Sequence, residues 1–214
     1  MVSFLGAPYP TRMAIARLPD GGLWLWSPVE LDEARRAAVD ALGPVRHLVS
    51  PNAIHHLFLG PWKDAYPDAK LWASPGLARR RKDLAFDGTL DDAPPADWAG
   101  AIDQVHVDGS PVLTELWFHH RESRTALVCD LVQKHDPDAL DGWMKWLMRL
   151  DGLVGPEGST PREWRATFLR RGVARAAVRR ALDWDPRRVV IAHGDWARED
   201  GRRWLERSMA WLLG

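Results

Sequence analysis

The sequence predicts a mixed α/β protein in which two sheets pack face to face with helices on both outer surfaces. Three observations predict it. Short runs of β-branched, aromatic and aliphatic residues alternate with stretches of helical spacing; these runs gather into two β-rich blocks, residues 13–73 and 102–131; and each block leads into helical sequence that can cover it. At 214 residues the chain is long enough to enclose this four-layer αββα sandwich as a single domain spanning 1–214.

Met13 to Leu18 and Leu23 to Trp26 read as strands joined by the turn cluster Pro19-Asp20-Gly21-Gly22. A helix is expected over Glu30 to Leu42, stopped by Gly43-Pro44, with Val45 to Val49 following as a buried strand. Ser50 or Asn52 is placed to cap a helix towards Ala65, with His55 and His56 near its start and Pro67 breaking it. Lys70 to Ala73 repeats the strand and Pro75 to Leu84 the helix, and Leu90 to Ala99 has the Asp, Ala and Pro content of a surface connection. Ile102 to Val107, Val112 to His119 and Thr125 to Leu131 are strands by composition, the last two joined by a turn over Arg121 to Arg124.

Asp138 to Leu150 has helical spacing. Thr160-Pro161-Arg162-Glu163 has the residues of a capping box with proline in the first turn, opening a helix that runs to Leu182. Arg188 to Ala192 is a last apolar strand, and Trp196 to Leu213 a terminal helix with Trp204, Leu205, Trp211 and Leu212 on one face. The 13 tryptophans are scattered singly and read as core, with one or two lining a pocket.

Lys plus Arg and Asp plus Glu are equal at 29 each, so no whole-molecule field favours nucleic acid or an anionic membrane, and neither is expected as a partner. The basic run Arg79-Arg80-Arg81-Lys82 reads as a solvated helix face. The single cysteine, Cys129, excludes an internal disulfide and an all-thiolate zinc site; strand alternation makes it an inert core thiol facing away from Asp130. With no signal-like start and no run long enough to span a membrane, a soluble cytoplasmic protein is expected.

Among eight histidines, few stand where α/β folds place chemistry. His55 and His56 lie near a helix start, Asp130 at a strand end, and His193 directly after a strand. Imidazoles with a carboxylate suit borderline divalent cations, zinc first, with iron or manganese as alternatives. Asn52, His135 and Asp195 stand near enough in sequence to fix a histidine tautomer. His119-His120 beside a hairpin turn reads as solvent-facing, and His47 and His106, inside strands, as structural.

In the order of these elements the chain resembles the metallo-β-lactamase-like hydrolases. Their Thr-His-x-His-x-Asp-His loop, between a strand and a helix, has its place taken by Ser50-Pro51-Asn52-Ala53-Ile54-His55-His56. The resemblance implies that His55 replaces the motif's Asp, that His56 keeps its last histidine, that Asp130 is the bridging Asp, and that His193 is the final histidine. It also implies that the first metal site is lost, because Pro51 and Ala53 stand where two of its histidines would be, and Trp26-Ser27-Pro28 stands where an Asp usually follows the second strand. The expectation is a hydrolase with one divalent ion on His55, His56, Asp130 and His193, Asp130 and His193 also serving catalysis, acting on a small uncharged or weakly anionic substrate. The alternative is a non-catalytic binding or structural module descended from that fold.

Overall fold

A computed structural model describes residues 2–4, 7–136, 138 and 142–214. A two-stranded antiparallel ribbon, β1 (Val2–Phe4) and β2 (Ala7–Tyr9), comes first and has no counterpart among the expected elements. Next come β3 (Ala14–Arg17), β4 (Leu23–Trp26), α1 (Glu33–Asp40), β5 (Val45–Val49), α2 (Leu59–Ala65), β6 (Lys70–Ala73), α3 (Leu77–Arg80) and β7 (Gly88–Thr89). The second half holds β8 (Ile102–Val107), β9 (Glu115–His120), β10 (Thr125–Val128), α4 (Gly142–Leu150), α5 (Arg162–Thr167), α6 (Arg171–Asp183), β11 (Arg188–Ile191), α7 (Gly201–Ser208) and α8 (Ala210–Leu213).

The strands form two sheets. Sheet one has the order β3-β4-β5-β6-β7, antiparallel at β3-β4 and parallel beyond; sheet two has the order β11-β10-β9-β8, with β10 and β11 parallel and the rest antiparallel. Strand alternation sorts the buried residues into three clusters, one for each interface of a four-layer sandwich. Leu23 and Leu25 of β4 join Val39, Leu59, Trp62 and Leu77 under the helices of the first half, while Trp24 and Trp26 of the same strand join Phe118, Leu127 and Ala192 between the sheets. On sheet two, Trp117, Ala126, Val128, Val189 and Ile191 turn outward to meet Ala177, Val178, Leu205 and Leu212 of the helical layer beyond. The αββα order expected from the sequence is therefore the observed one. No helix among the described residues is long and apolar enough to cross a membrane.

Several helices differ from expectation at their ends. The helix expected from Thr160 to Leu182 is two, α5 and α6, separated by the non-helical residues 168–170; at its start the Thr160 hydroxyl donates to the Leu131 carbonyl instead of capping, and the N-cap position falls to Pro161, whose side chain has no hydrogen-bonding group. The terminal helix begins at Gly201 and breaks at Met209, and the expected helix over Pro75–Leu84 shrinks to α3. The helix from Glu30 starts at Glu33, capped by the Asp32 carboxylate on the Arg35 amide at 2.7 Å. For the helix expected from Asp138, residues 139–141 lie outside the described ones.

Candidate functional site

The site forms where loops after β4, β5, β10 and β11 converge at one end of the sandwich. After β5, the Ser50–His56 segment is a turn, not the start of a helix; α2 begins only at Leu59. Asn52 shapes it, its Oδ1 accepting from the amides of Ile54 and His55 at 2.9 and 3.0 Å. The Ser50 hydroxyl lies 2.7 and 2.8 Å from the carbonyls of Asn52 and His55 and closes the same turn. This geometry points His55 into the site.

Three side chains meet there. His193 Nε2 lies 2.9 Å from Asp130 Oδ1, His55 Nε2 lies 3.0 Å from His193 Nε2, and His55 Nε2 lies 3.4 Å from Asp130 Oδ1. Each is oriented from behind. His193 Nδ1 faces the carbonyl of Pro10 at 2.8 Å; since a carbonyl only accepts, Nδ1 carries a hydrogen, and the ring is held with Nε2 facing the other two. His55 Nδ1 is 2.7 Å from the hydroxyl of Ser27, a buried residue whose backbone has a positive φ of 52°. Asp130 Oδ2 accepts from Asn52 Nδ2 at 2.6 Å, which leaves Oδ1 for the histidines.

Asp130 is held by a second buried acid, Glu115, at the start of β9. Its Oε1 accepts from the Cys129 amide and the Trp117 indole, both at 2.7 Å, and its Oε2 from the amides of Asp130 and Leu131 at 2.7 and 3.1 Å. Burial, and then the charge on Asp130, push Glu115 up to about 7, against the pull of those three amides. Asp130 goes the other way: burial raises it, but His55 and His193 outweigh burial and hold it well below the carboxylate range. The pair therefore carries one firm negative charge, on Asp130.

His55, Asp130 and His193 are thus brought together as expected. His56, expected as a fourth ligand, lines the same cavity but turns its Nδ1 to Arg81 at 3.1 Å, and among the described residues it makes no hydrogen bond to the other three. Burial and the charges of Arg80 and Arg81 lower its pKa. Asn52 is a supporting residue, although it holds Asp130 and not a histidine; the partners that orient the histidines are Ser27 and the Pro10 carbonyl. Asp195 pairs with Lys134 at 3.2 Å, and His135 Nε2 lies 3.2 Å from Gln133 Oε1. His119 is buried and stacked on Trp184, contrary to the solvent-facing expectation, and His47 accepts from the Trp72 indole.

Cys129 does not face away from Asp130. The strand ends at Val128, so alternation lapses, and Cys Sγ, an Asp130 oxygen and a His55 nitrogen lie within 4.8 Å of one another. Burial, then the charges on Asp130 and Glu115, push this thiol well above its ordinary pKa, so it stays a neutral thiol. At the lost first-site positions the remaining polar atoms are backbone carbonyls with structural partners: Pro51 accepts from the Leu116 amide at 2.8 Å and Ala53 from Arg80 at 3.0 Å.

The donor set fits a divalent cation. Bonds of about 2.0–2.1 Å from a tetrahedral ion place its ligand atoms about 3.3–3.4 Å apart, near the separations found here. The three side chains form part of the wall of a cavity of about 270 Å³.

Residues 3–141 match the model of a protein family described as a domain of unknown function, DUF4336. The chain belongs to the DUF4336 family. A comparison of this DUF4336 chain with curated proteins returned no match by sequence. Among solved structures it is similar to a metallo-β-lactamase from Pontibacter korlensis, with 15% identity, a TM-score of 0.64, and coverage of 100% of this chain and 92% of that one. It is also similar to a metallo-β-lactamase from Erythrobacter litoralis, with 16% identity, a TM-score of 0.62 and coverage of 96% and 86%. A chemotaxis sensor, ODP, described in a peroxy diiron state, has 12% identity, a TM-score of 0.63 and coverage of 96% and 87%. The DUF4336 chain therefore has a metallo-β-lactamase-like fold.

Proposed function

We propose that this DUF4336 protein, acting as one domain, is a metal-dependent hydrolase with a single divalent ion held by His55, Asp130 and His193. The supporting observation is the convergence of three donor atoms within 3.4 Å, two with their orientation set by Pro10 and Asn52 so that they face one point. Zinc is the first choice for an N,N,O set, with iron next and manganese after it. Solved neighbours titled as metallo-β-lactamases and as a diiron sensor support that range.

When bound, such an ion supplies a water acidified to near neutrality and an electrophile for a carbonyl or phosphoryl oxygen. The chain's own residues do the rest. Asn52 keeps Asp130 Oδ1 facing inward; Pro10 keeps His193 Nε2 facing inward; Ser27 fixes the plane of the His55 ring. His56, on the same wall and held by Arg81, is placed to contact a substrate instead of the ion.

A second reading, a binding module without chemistry, is favoured by the structural use of Pro51 and Ala53 at former ligand positions. Elemental analysis of the purified chain separates the two. We expect stoichiometric metal, lost in His55→Ala and His193→Ala and kept in His56→Ala, with circular dichroism unchanged. A wild type that neither carries nor takes up zinc, iron or manganese overturns the hydrolase and leaves the module.

A further inference from the structure

The cavity over the site has a chemical character that the cluster itself does not determine. One side is apolar: Ile54, Leu57, Phe58, Met148, Leu153 and Trp164 contribute to its wall. Ile54 and Leu57 remain 40% and 61% exposed, although large apolar side chains this close to a site would ordinarily be covered. Its volume, about 270 Å³, lies at the lower edge of the roughly 300–1,000 Å³ that holds drug-sized ligands, which restricts the occupant to a small molecule.

The charged side chains in its wall are all acidic. Besides Asp130, the wall includes Asp151 and Glu163, and no lysine or arginine among the described residues lines it. The neighbouring cations have partners of their own and do not line the wall: Arg81 pairs with Asp83 and contacts His56 from behind; Arg165 donates to the Thr160 carbonyl, the Ser159 hydroxyl and, at 3.5 Å, the Asp151 carbonyl; Lys134 pairs with Asp195; Arg12 donates to the carbonyls of Ile191 and Gly194. Asp151, Glu163 and Trp164 line the same wall. Carboxylates and an aromatic side chain in an apolar wall are a combination that favours an organic cation over an anion.

We propose that this cavity binds a small apolar organic cation, such as the ammonium-bearing ester of a short acyl chain, and that its own side chains, without the metal, favour that cation over an anion of the same size. The inference rests on the hydrolase reading for the acyl bond but not for the binding preference. It narrows the expectation of an uncharged or weakly anionic substrate, because among the described residues the wall offers a carboxylate or phosphate no lysine or arginine, only the imidazoles of His55, His56 and His193.

The test uses the full chain stripped of metal with a chelator, so that binding is read without catalysis. Three probes with the same six-carbon tail, hexyltrimethylammonium, 1-hexanol and hexanoate, compete against the uncharged dye Nile red. We expect the cation to bind about tenfold or more tighter than hexanoate, with the alcohol between, and the cation's advantage over the alcohol to vanish in Asp151→Asn/Glu163→Gln while the alcohol's own binding is unchanged. Glu163 is exposed and Asp151 half-buried, and circular dichroism checks that the double variant folds. Hexanoate binding as tightly as the cation, no displacement by any probe, or an unchanged preference in the double variant overturns the proposal. Metal content is measured on the same preparation before stripping, so the absence of metal with the preference intact counts against the hydrolase alone, and metal without the preference counts against this inference alone.

Discussion

Sheet two delivers Asp130 and His193 from positions with little freedom, whereas sheet one delivers His55 from a turn held together by its own side chains. On the sheet-two side, the buried carboxylate of Glu115 takes three consecutive amides, and Gly194, at φ 99°, lies so close to the next loop that an added Cβ would stand 1.6 Å from the Lys134 carbonyl. On the sheet-one side, Ser50 and Asn52 Oδ1 bond to neighbours within five residues, Asn52 Nδ2 on Asp130 is a link across to sheet two, and Ile54 and Leu57 are open to solvent. One half of the site is thus an extension of the core, and the other rests mainly on local turn chemistry. Damage to the first should unfold the protein, and damage to the second should leave a folded protein with a loosened site.

Gly194→Ala probes this contrast most severely. The backbone clash and the left-handed φ together should cost about 3 kcal/mol or more, read as a fall in the urea midpoint. A variant as stable as wild type would mean that the 193–195 loop is not part of the rigid half. Glu115→Gln comes next. It turns an acceptor into a donor facing buried N–H groups and should cost about 1–3 kcal/mol, also by urea unfolding.

The rigid half also predicts a pH dependence. Burial, and then the charge of His193, lower His135 to about 4 from 6.5. Below 6.5 the unfolded chain takes a proton that the folded chain refuses, so the stability is fully present above 6.5 and is lost as pH falls through 4. The loss is on the order of 2–3 kcal/mol. His135→Gln should flatten this part of the stability profile measured by urea titration in metal-free protein; an unchanged slope would assign the acid sensitivity to other groups.

The smallest stability effect is expected from the flexible half. Ser27→Ala removes one hydrogen bond to His55 and should change stability by about 1 kcal/mol, yet lower metal affinity by about 10–100-fold, measured by competition with a chromogenic chelator. Equal affinity in the two proteins would remove Ser27 from the site.

The layers were legible in the sequence because strand alternation writes burial directly into residue order: Leu23 and Leu25 against Trp24 and Trp26 already assign two faces to β4. Helix ends were less legible. Thr160 has the right residue type for a cap, but the hydroxyl is taken by the Leu131 carbonyl of the loop after β10, 29 positions away, a tertiary competitor that no local pattern contains. The same limit applies at the site. His55, Asp130 and His193 stood at strand ends or loops where the fold places chemistry, whereas the choice between His55 and His56 depended on which ring the turn pointed inward. Glu115 left one signal, a carboxylate within the expected strand directly before the apolar run Leu116-Trp117-Phe118, which marks a buried charge with a task. Ser27 left only its place after a strand, in the position where the resembled family carries an Asp.

The link between the Pro10 carbonyl and His193 spans 183 positions, and Arg12 reaches the carbonyls of Ile191 and Gly194 across a similar stretch. These contacts close loops of about 180 residues, the kind of non-local pairing that forms late because so much chain must be ordered first. The orientation of His193 is therefore tied to the docking of a segment far from it in sequence, so a change near Pro10 can disturb the site without touching any of its three side chains.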